Sequence, residues 1–353
     1  MSRRIRVLHV LGTGERHAIG IARTALHLAR RLPSSRWEIS ALFIRDGGPL
    51  GDRFEEAGIE TFEAGWHRGL TDFRGAARFT GTVRDIAPHI VHFHAGGRAQ
   101  RLAARAAGRP RIIAHYHSIY EESGRASPRT GAVADVVLAN SRATAATIPR
   151  AKPVVIHQGV ATGPILRRRS INTRIGVAAR LAPVKGIATL IDAMSLVIRD
   201  HPALASTIFL EIAGTGPEES ALREQISDRG LEKQVRLHGW RENVRHLMQR
   251  WDIYVQPSVA EGFGIAVLEA MGVGLPVIAS RTGGLPELVE EGTTGILTEP
   301  GDAQGLADAI ASLAADEEMR RRLGAAGRER VAREFTIERE VTSIAAVYER
   351  LLT

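Results

Sequence analysis

Short apolar runs alternate with stretches of helical periodicity along nearly the whole chain. Ile5 to Leu11, Glu38 to Ile44, Ile90 to Phe93, Arg111 to His115 and Val136 to Ala139 are brief, mostly apolar runs that read as strands. Between them, Ile21 to Leu32, Gly75 to Ile86, Gln100 to Ala107 and Ser141 to Ile148 repeat their apolar residues at helical spacing. After a further strand, Pro153 to His157, the pattern breaks at Gly159-Val-Ala-Thr-Gly-Pro164 and the basic run Leu166-Arg-Arg-Arg-Ser170, which reads as a linker. A second alternation follows, with strands at Arg174 to Ala179, Thr207 to Ala213, Gln234 to Leu237, Ile253 to Val255, Pro276 to Ala279 and Gly295 to Leu297. Ala303 to Ala315, Glu317 to Ala326 and Ile337 to Leu352 form a helical tail. Alternation of this kind predicts parallel sheets covered by helices on both faces, with ligands beyond the carboxyl ends of the strands.

Composition sharpens the picture. A chain of 353 residues exceeds what one hydrophobic core usually supports, and 44% hydrophobic residues suffice for two. The expected fold class is α/β, built from two Rossmann-like doubly wound domains over 1–160 and 171–335, with 336–353 as a separate final helix. There is no cysteine, which excludes disulfides, thiolate nucleophiles and Cys-zinc sites and suits a cytoplasmic protein. Met1 to Gly14 starts basic, but its apolar run is interrupted by Arg6 and His9 and reads as a first strand rather than a leader. No stretch has the length of a membrane-spanning helix. The net charge of +8 divides unevenly: residues 1–170 hold 27 Lys and Arg against 13 Asp and Glu, whereas 171–353 hold 20 against 26. A basic first half suits an acidic substrate or an anionic membrane surface, and no nucleic-acid-binding motif accompanies it.

The candidate chemistry centres on Glu261-Gly-Phe-Gly-Ile-Ala-Val-Leu-Glu269, which follows the strand ending at Pro257. Gly262 and Gly264 flank Phe263, a helical pattern starts at Ile265, and Gly272 and Gly274 stop it. A glycine loop opening a helix brings backbone N–H groups close to an anion, with phosphate the natural choice. The two carboxylates repel phosphate and are better employed accepting hydrogen bonds from hydroxyls on either side of it, Glu261 from a sugar and Glu269 from a ribose. Ile175-Gly-Val-Ala-Ala-Arg-Leu-Ala-Pro-Val-Lys-Gly186 is a second such stretch. There a strand runs into a turn with Arg180 and Lys185, and Gly186 opens a helix. Two cations at one strand end can hold a diphosphate and stabilise it as it departs.

These strings, with Glu269-Ala-Met and Gly274-Leu-Pro-Val277 downstream, resemble the signature of the retaining glycosyltransferase family 4, of GT-B fold. The resemblance implies two Rossmann-like domains facing across a cleft, an acceptor-binding first domain, a nucleotide-sugar-binding second domain and a last helix that crosses back to the first. It implies a hexosyltransferase that moves a sugar from a nucleotide-diphosphate sugar to a hydroxyl acceptor with retention and without a metal. Arg180-x4-Lys185 resembles the family's diphosphate site, although Ala179 stands where many members carry glycine. Leu237-His-Gly-Trp-Arg241 resembles the base-cradling loop, which makes Gly239, Trp240 and Arg241 donor-binding candidates alongside Gly262, Phe263, Gly264, Ile265 and Glu269. Trp240 could equally sit in the core beneath that loop. Gly283-Gly284-Leu-Pro-Glu287 is similar to the following family segment, with Glu287 read as a helix-start acid.

On the acceptor side, Leu11-Gly-Thr-Gly14 and Gly20 are similar to the family's glycine loop, although only one glycine precedes the helix. The string is no dinucleotide fingerprint, since position 17 is not glycine. His117, in Ala114-His-Tyr-His-Ser118, matches a cleft histidine that touches the sugar and has been considered catalytic. His94 and Arg98 stand where the acceptor would pass. Period two puts His92 with His94, and His115 with His117, on single faces of strand ends, yet no carboxylate or cysteine joins them at ligand spacing and no metal is expected. Neither Asp-x-Asp nor His-Glu-x-x-His occurs, so positive side chains replace a donor-bridging metal. The segment His157-Gln-Gly-Val-Ala161 departs from the family's Pro-Asn-Gly-Val-Asp.

The catalytic expectation is thus His117, Arg180, Lys185 and Glu261, with a nucleotide sugar as substrate and no cofactor. The acceptor can be acidic or lipid-linked, and the protein cytoplasmic or peripheral at the inner membrane face. A nucleotide-sugar epimerase or hydrolase of the same fold, or a basic membrane- or polyanion-binding protein, are the competing readings. Trp66 to Thr71 and Tyr120 to Arg129 are the loops expected to choose sugar and acceptor.

Overall fold

The computed structural model describes residues 4–15, 19–67, 71–119, 133–163 and 172–353. Two compact units emerge, Met1–Gly159 with Ile337–Thr353, and Val160–Thr336. Much of the expected linker, 164–171, lies outside the described residues, as do 68–70 and 120–132 of the expected specificity loops.

The first unit is a seven-stranded sheet of β1 (Ile5–Leu11), β2 (Trp37–Phe43), β3 (Glu60–Glu63), β4 (Ile90–Phe93), β5 (Arg111–Tyr116), β6 (Val136–Ala139) and β7 (Val154–Val155). Its order is β3-β2-β1-β4-β5-β6-β7, with every pairing parallel. The order reverses between β1 and β4, the switch point at which doubly wound sheets open a ligand site. One face of the sheet carries Leu8, Val10, Val91, Phe93 and Ile112, which pack with Phe79 and Val83 of the helix Phe73–Ile86. The opposite face carries Val7, Ile90 and Ile113 and is covered by Leu28 and by Ile337, Val341, Ile344 and Tyr348 of the last helix, Ile337–Leu352. That helix is fastened by a buried carboxylate: Glu340 accepts from Thr24 Oγ1 (2.6 Å), His27 Nδ1 (2.8 Å) and the Gly159 N–H (3.1 Å).

The second unit holds β8 (Thr173–Ala178), β9 (Ile208–Ala213), β10 (Val235–Gly239), β11 (Ile253–Gln256), β12 (Val277–Ser280) and β13 (Gly295–Thr298), parallel in the order β10-β9-β8-β11-β12-β13. Its reversal falls between β8 and β11, the two strands that lead into the candidate phosphate loops. Trp251 lies over Gly176 of β8 and donates from Nε1 to Glu211 Oε2 at 3.0 Å. Burial pushes the Glu211 carboxyl up, but the Trp251 bond, His238 and Arg174 together hold it below the usual range. A methyl group at Gly176 would fall inside the rigid indole ring. Gly176→Ala should therefore cost roughly 1–3 kcal/mol or more by overpacking, read as a lower urea midpoint at unchanged m-value.

Three local differences from the sequence reading have physical reasons. β3, with the sequence Glu-Thr-Phe-Glu, is an edge strand whose charged ends hide its apolar content. The helix Gly48–Glu56 starts with Gly-Pro, which looks like a turn, but proline is well placed in a first helical turn, where its missing N–H is not needed. The helix expected to end at Ala326 runs on as Glu317–Glu334, because Gly327 is buried on its packed face beside Met271, as Gly324 is against the Gly274 carbonyl, and serves close packing rather than termination.

Candidate active site

In the second unit, β8 ends at Ala178 and the chain turns through an exposed Arg180 into a short 3-10 turn, Pro183–Lys185, before the helix Ile187–Asp200. Gly186 caps that helix at φ 64, and a side chain there would meet the Pro257 carbonyl oxygen at the end of β11, so the position requires glycine. The Val259 N–H bonds the Val184 carbonyl at 2.8 Å and ties the two loops together. Lys185 Nζ thereby reaches Glu261, 3.1 Å from Oε1 and 3.0 Å from Oε2, with both side chains less than a fifth exposed. The pair joins the two stretches on which the sequence reading rests.

Further groups hold Glu261. Ser258 Oγ donates to its Oε2 at 3.1 Å, and Gln256 Nε2 lies 3.4 Å from the same oxygen. Burial pushes the Tyr254 hydroxyl up, so it stays protonated and donates to Gln256 Oε1 at 2.7 Å. Gly264 caps the helix Ile265–Gly272, Glu269 is half-buried on it, and Gly262 is buried in the loop before it. Phe263 is only 1% exposed and packs 6.2 Å from the Phe335 ring, so its side chain belongs to the core and only its backbone can serve a donor. Ile265 and Trp240 are half-buried and Arg241 is exposed. Gly239 lies at a register shift at the end of β10, and its carbonyl accepts from the Gly214 N–H at 2.9 Å. Gly214 and Gly216 were not singled out by sequence reasoning. Their lack of side chains lets the loop after β9 lie against the Ala179 and Leu181 carbonyls. Their Gly-x-Gly spacing directly after a strand was the available signal.

In the first unit, Gly14 is buried and donates to the Asp46 carbonyl at 2.7 Å. Gly20 lies in the first turn of the helix Ile19–Arg31, with its carbonyl held by Gln158 Nε2 at 3.1 Å. Arg98 is exposed at the start of the helix Arg98–Gly108. An open depression lined by Ala64, His67, Asp72, Phe73, Arg74 and Arg78 includes none of these residues.

The notable feature of the first unit is a row of five histidines on the face of the sheet that packs against the last helix. Sequence reasoning paired His92 with His94 and His115 with His117 but passed over His9. The register sets His9 of β1 directly beside His92 of β4, so β1, β4 and β5 stack imidazoles where the apolar row of Val7, Ile90 and Ile113 ends. Ring centroids lie 4.3 Å apart for His92 and His94 and 4.0 Å apart for His115 and His117. His9 Nδ1 is 2.8 Å from His94 Nε2, and His94 Nδ1 is 3.0 Å from His117 Nε2. His94, expected to meet the acceptor, is thus buried with both nitrogens engaged by other histidines. Tyr348, its hydroxyl kept protonated by burial, bonds His92 Nδ1 at 2.7 Å, and His92 Nε2 lies 3.3 Å from His115 Nδ1.

Burial pushes His9 and His117 down to about 3 from the ordinary 6.5, and lowers His92, His94 and His115 through burial and then mutual repulsion. The row is neutral at physiological pH. His9, His92 and His94, and likewise His94, His115 and His117, each bring three nitrogens within 4.8 Å of one another, a donor set that zinc-like ions accept. The contacts of 2.8 and 3.0 Å, however, are those of rings sharing protons.

Two glycine-opened helices, a cation-bearing turn and a carboxylate at the switch point of a parallel sheet, in a chain with two such sheets, define the GT-B class of glycosyltransferase. The model for Glycosyltransferase Family 4 matches residues 19–163, and the model for Glycosyl transferases group 1 matches residues 167–330. The chain belongs to the family-4 glycosyltransferases. Among curated proteins it is 33% identical over 169 residues to N-acetyl-alpha-D-glucosaminyl L-malate synthase of Bacillus anthracis, covering 48% of this chain and 43% of that protein. It is 31% identical over 237 residues to the lipopolysaccharide core biosynthesis mannosyltransferase LpsB of Rhizobium meliloti, covering 62% of this chain and 66% of that protein. The matches thus span less than two thirds of those relatives' lengths. The crystal structure of HepE from Anabaena, in complex with UDP and glucose, superposes with a TM-score of 0.82 at 23% identity, over 98% of this chain and all of that one. At that identity the likeness speaks for the fold. No helix among the described residues is long and apolar enough to cross a membrane.

Proposed function

We propose that the protein is a hexosyltransferase that moves a sugar from a nucleotide-diphosphate donor to a hydroxyl-bearing acceptor, with retention at the anomeric carbon and without a metal bridging the donor. The observation that carries this reading is the Lys185–Glu261 pair, which sets a cation and a sugar-seeking carboxylate side by side between two helix starts. Lys185, Arg180 and the N–H groups opening the helix at Ile265 hold the diphosphate. Glu261 accepts hydrogen bonds from the sugar hydroxyls, and Glu269 from the ribose. As the bond from the anomeric carbon to the diphosphate oxygen breaks, the acceptor oxygen bonds that carbon from the same face. The acceptor's proton passes to the departing phosphate oxygen. His117, in the first unit, is assigned a hydrogen bond to a sugar hydroxyl.

The HepE complexes with UDP and with UDP-glucose make UDP-sugars the first donors to try. The basic first half, with 27 Lys and Arg against 13 Asp and Glu, suits an acidic or lipid-linked acceptor at an anionic membrane surface. Screening melting temperature against UDP-, GDP- and ADP-sugars tests the donor reading. A donor at about a hundred times its Kd adds roughly 2.7 kcal/mol, a shift of several degrees. No shift with any nucleotide sugar would reject the proposal. Isomerised or hydrolysed sugar formed from donor alone would favour the epimerase or hydrolase reading.

A further inference from the structure

The helices Phe73–Ile86 and Arg98–Gly108 pack side by side on the sheet face that carries Phe93 and Ile112, and each buries one stripe there: Gly75, Phe79 and Val83 on the first, Arg101, Ala104 and Ala107 on the second. Their outer stripes follow from the same spacing. Arg74 and Arg78 stand one turn apart on the first helix, and Arg98, Leu102 and Arg109 recur four and seven residues apart along the second, all of them exposed. Arg84 adds a further exposed guanidinium near the end of the first.

These arginines are left without counter-charges. Arg74, Arg78, Arg84, Arg98 and Arg109 have no carboxylate partner among the described residues, whereas Arg4 meets Glu38 at 3.1 Å, Arg31 meets Glu338 at 3.2 Å and Arg36 meets Glu349 at 3.0 Å elsewhere in the unit. The second helix holds no acidic residue and the first holds only Asp85. Two apolar side chains project from the same basic surface. Phe73 is 79% exposed, more than any other large hydrophobic side chain among the described residues, and Leu102 is 47% exposed. Phe73, Arg74 and Arg78 also line the open depression beside His67.

The charge selects an anionic occupant, so a second copy presenting the same face is repelled. A protein partner needs a contiguous apolar centre, and Phe73 and Leu102 stand on different helices among arginines. An anionic bilayer has no such requirement: its headgroup layer takes dispersed guanidinium groups at its phosphates and single apolar side chains beneath them. We propose that the outer faces of these two helices form a docking surface for an anionic lipid bilayer, with the arginines at lipid phosphates and Phe73 entering the layer below. A lipid-linked acceptor drawn from that bilayer rests on the function proposed above; the docking surface does not.

The test is sedimentation of the full chain with vesicles of phosphatidylcholine alone or with phosphatidylglycerol added. The wild type should sediment with the anionic vesicles only, and be released when salt is raised to about 0.5 M, which screens exposed charges. Arg74→Ala combined with Arg78→Ala should weaken binding about thirtyfold, since each arginine at a lipid surface is worth about fivefold. Phe73→Ser should weaken it on the order of tenfold at unchanged charge, and Phe73→Trp should give a blue-shifted emission when anionic vesicles are added. Arg30→Ala combined with Arg31→Ala removes the same charge from the helix Ile19–Arg31, whose Leu28 packs on the opposite sheet face, and should bind as the wild type does. All of these positions are exposed, so melting temperatures should stay close to that of the wild type. No association of the wild type with anionic vesicles would overturn the proposal, and so would an equal loss in the Arg30 and Arg31 variant, which marks a charge effect with no location. Polyphosphate bound as tightly as vesicles and indifferent to Phe73→Ser would overturn it in favour of a soluble acidic polymer. Absence of sugar transfer by the wild type would remove the function proposed above and leave the vesicle result standing.

Discussion

Replacing Lys185 with alanine is expected to lower turnover by on the order of 10²–10³ while the protein stays folded. The ammonium is the cation nearest Glu261, and both side chains are less than a fifth exposed, so no mobile water shell replaces it once a donor is bound. Losing a charge that stabilises a departing diphosphate raises the barrier more than it weakens binding, so kcat should fall further than donor KM rises. The fold should survive, because Glu261 keeps the hydroxyl of Ser258 at 3.1 Å and the amide of Gln256 at 3.4 Å. Glu261→Gln preserves those neighbours and provides the counterpart, with sugar orientation lost and the diphosphate grip retained. A Lys185→Ala protein turning over within about threefold of wild type would eliminate Lys185 as the group that meets the leaving phosphate.

Acidifying the solution should destabilise the first unit well above the pH at which carboxylates titrate. His9 in the folded chain is held near 3 against 6.5 when exposed, so between those values the unfolded chain binds a proton that the folded chain refuses. Stability therefore rises with pH across that window and is lost as pH falls through it, at about 1.4 kcal/mol per pH unit for each such histidine. At pH 5, His9 alone accounts for roughly 2 kcal/mol, and His92, His94 and His115 are lowered in the same sense. Set against a typical stability of about 5–15 kcal/mol, the row should bring the melting temperature down by on the order of 10 °C between pH 7.5 and pH 5. Scanning calorimetry across that range checks this, and a transition unchanged down to pH 4.5 would show that the rings are already charged or solvated.

The strand pattern was legible because parallel strands buried on both faces are short, nearly continuous apolar runs, and Ile5–Leu11, Ile90–Phe93 and Val136–Ala139 announce themselves. The second unit's site was legible for a local reason: Arg180 and Lys185 share one turn, and Glu261 opens one loop. The histidine row was only half legible. Period two along one strand pairs His92 with His94, but His9 joins them through the β1–β4 register, which links residues 83 positions apart and leaves no mark in local spacing. Local spacing also gave no sign of where the Phe263 ring goes: the loop reads as a source of backbone N–H groups, and the ring packs inward against Phe335. The contact between Gln158 and the Gly20 carbonyl lay beyond reach as well, because a glutamine in a loop carries no period.

The clasp on Glu340 has a consequence for the order in which the molecule comes into being. The Gly159 N–H and the Thr24 hydroxyl find their acceptor, and His92 finds its phenol, only on a helix more than 170 residues downstream. On the ribosome, the unit translated second has its whole sequence available before the unit translated first, whose sheet waits with the part of its face under that helix uncovered until the codons for 337–353 are read. Any chaperone that shields this chain during synthesis would find its apolar target on that waiting face.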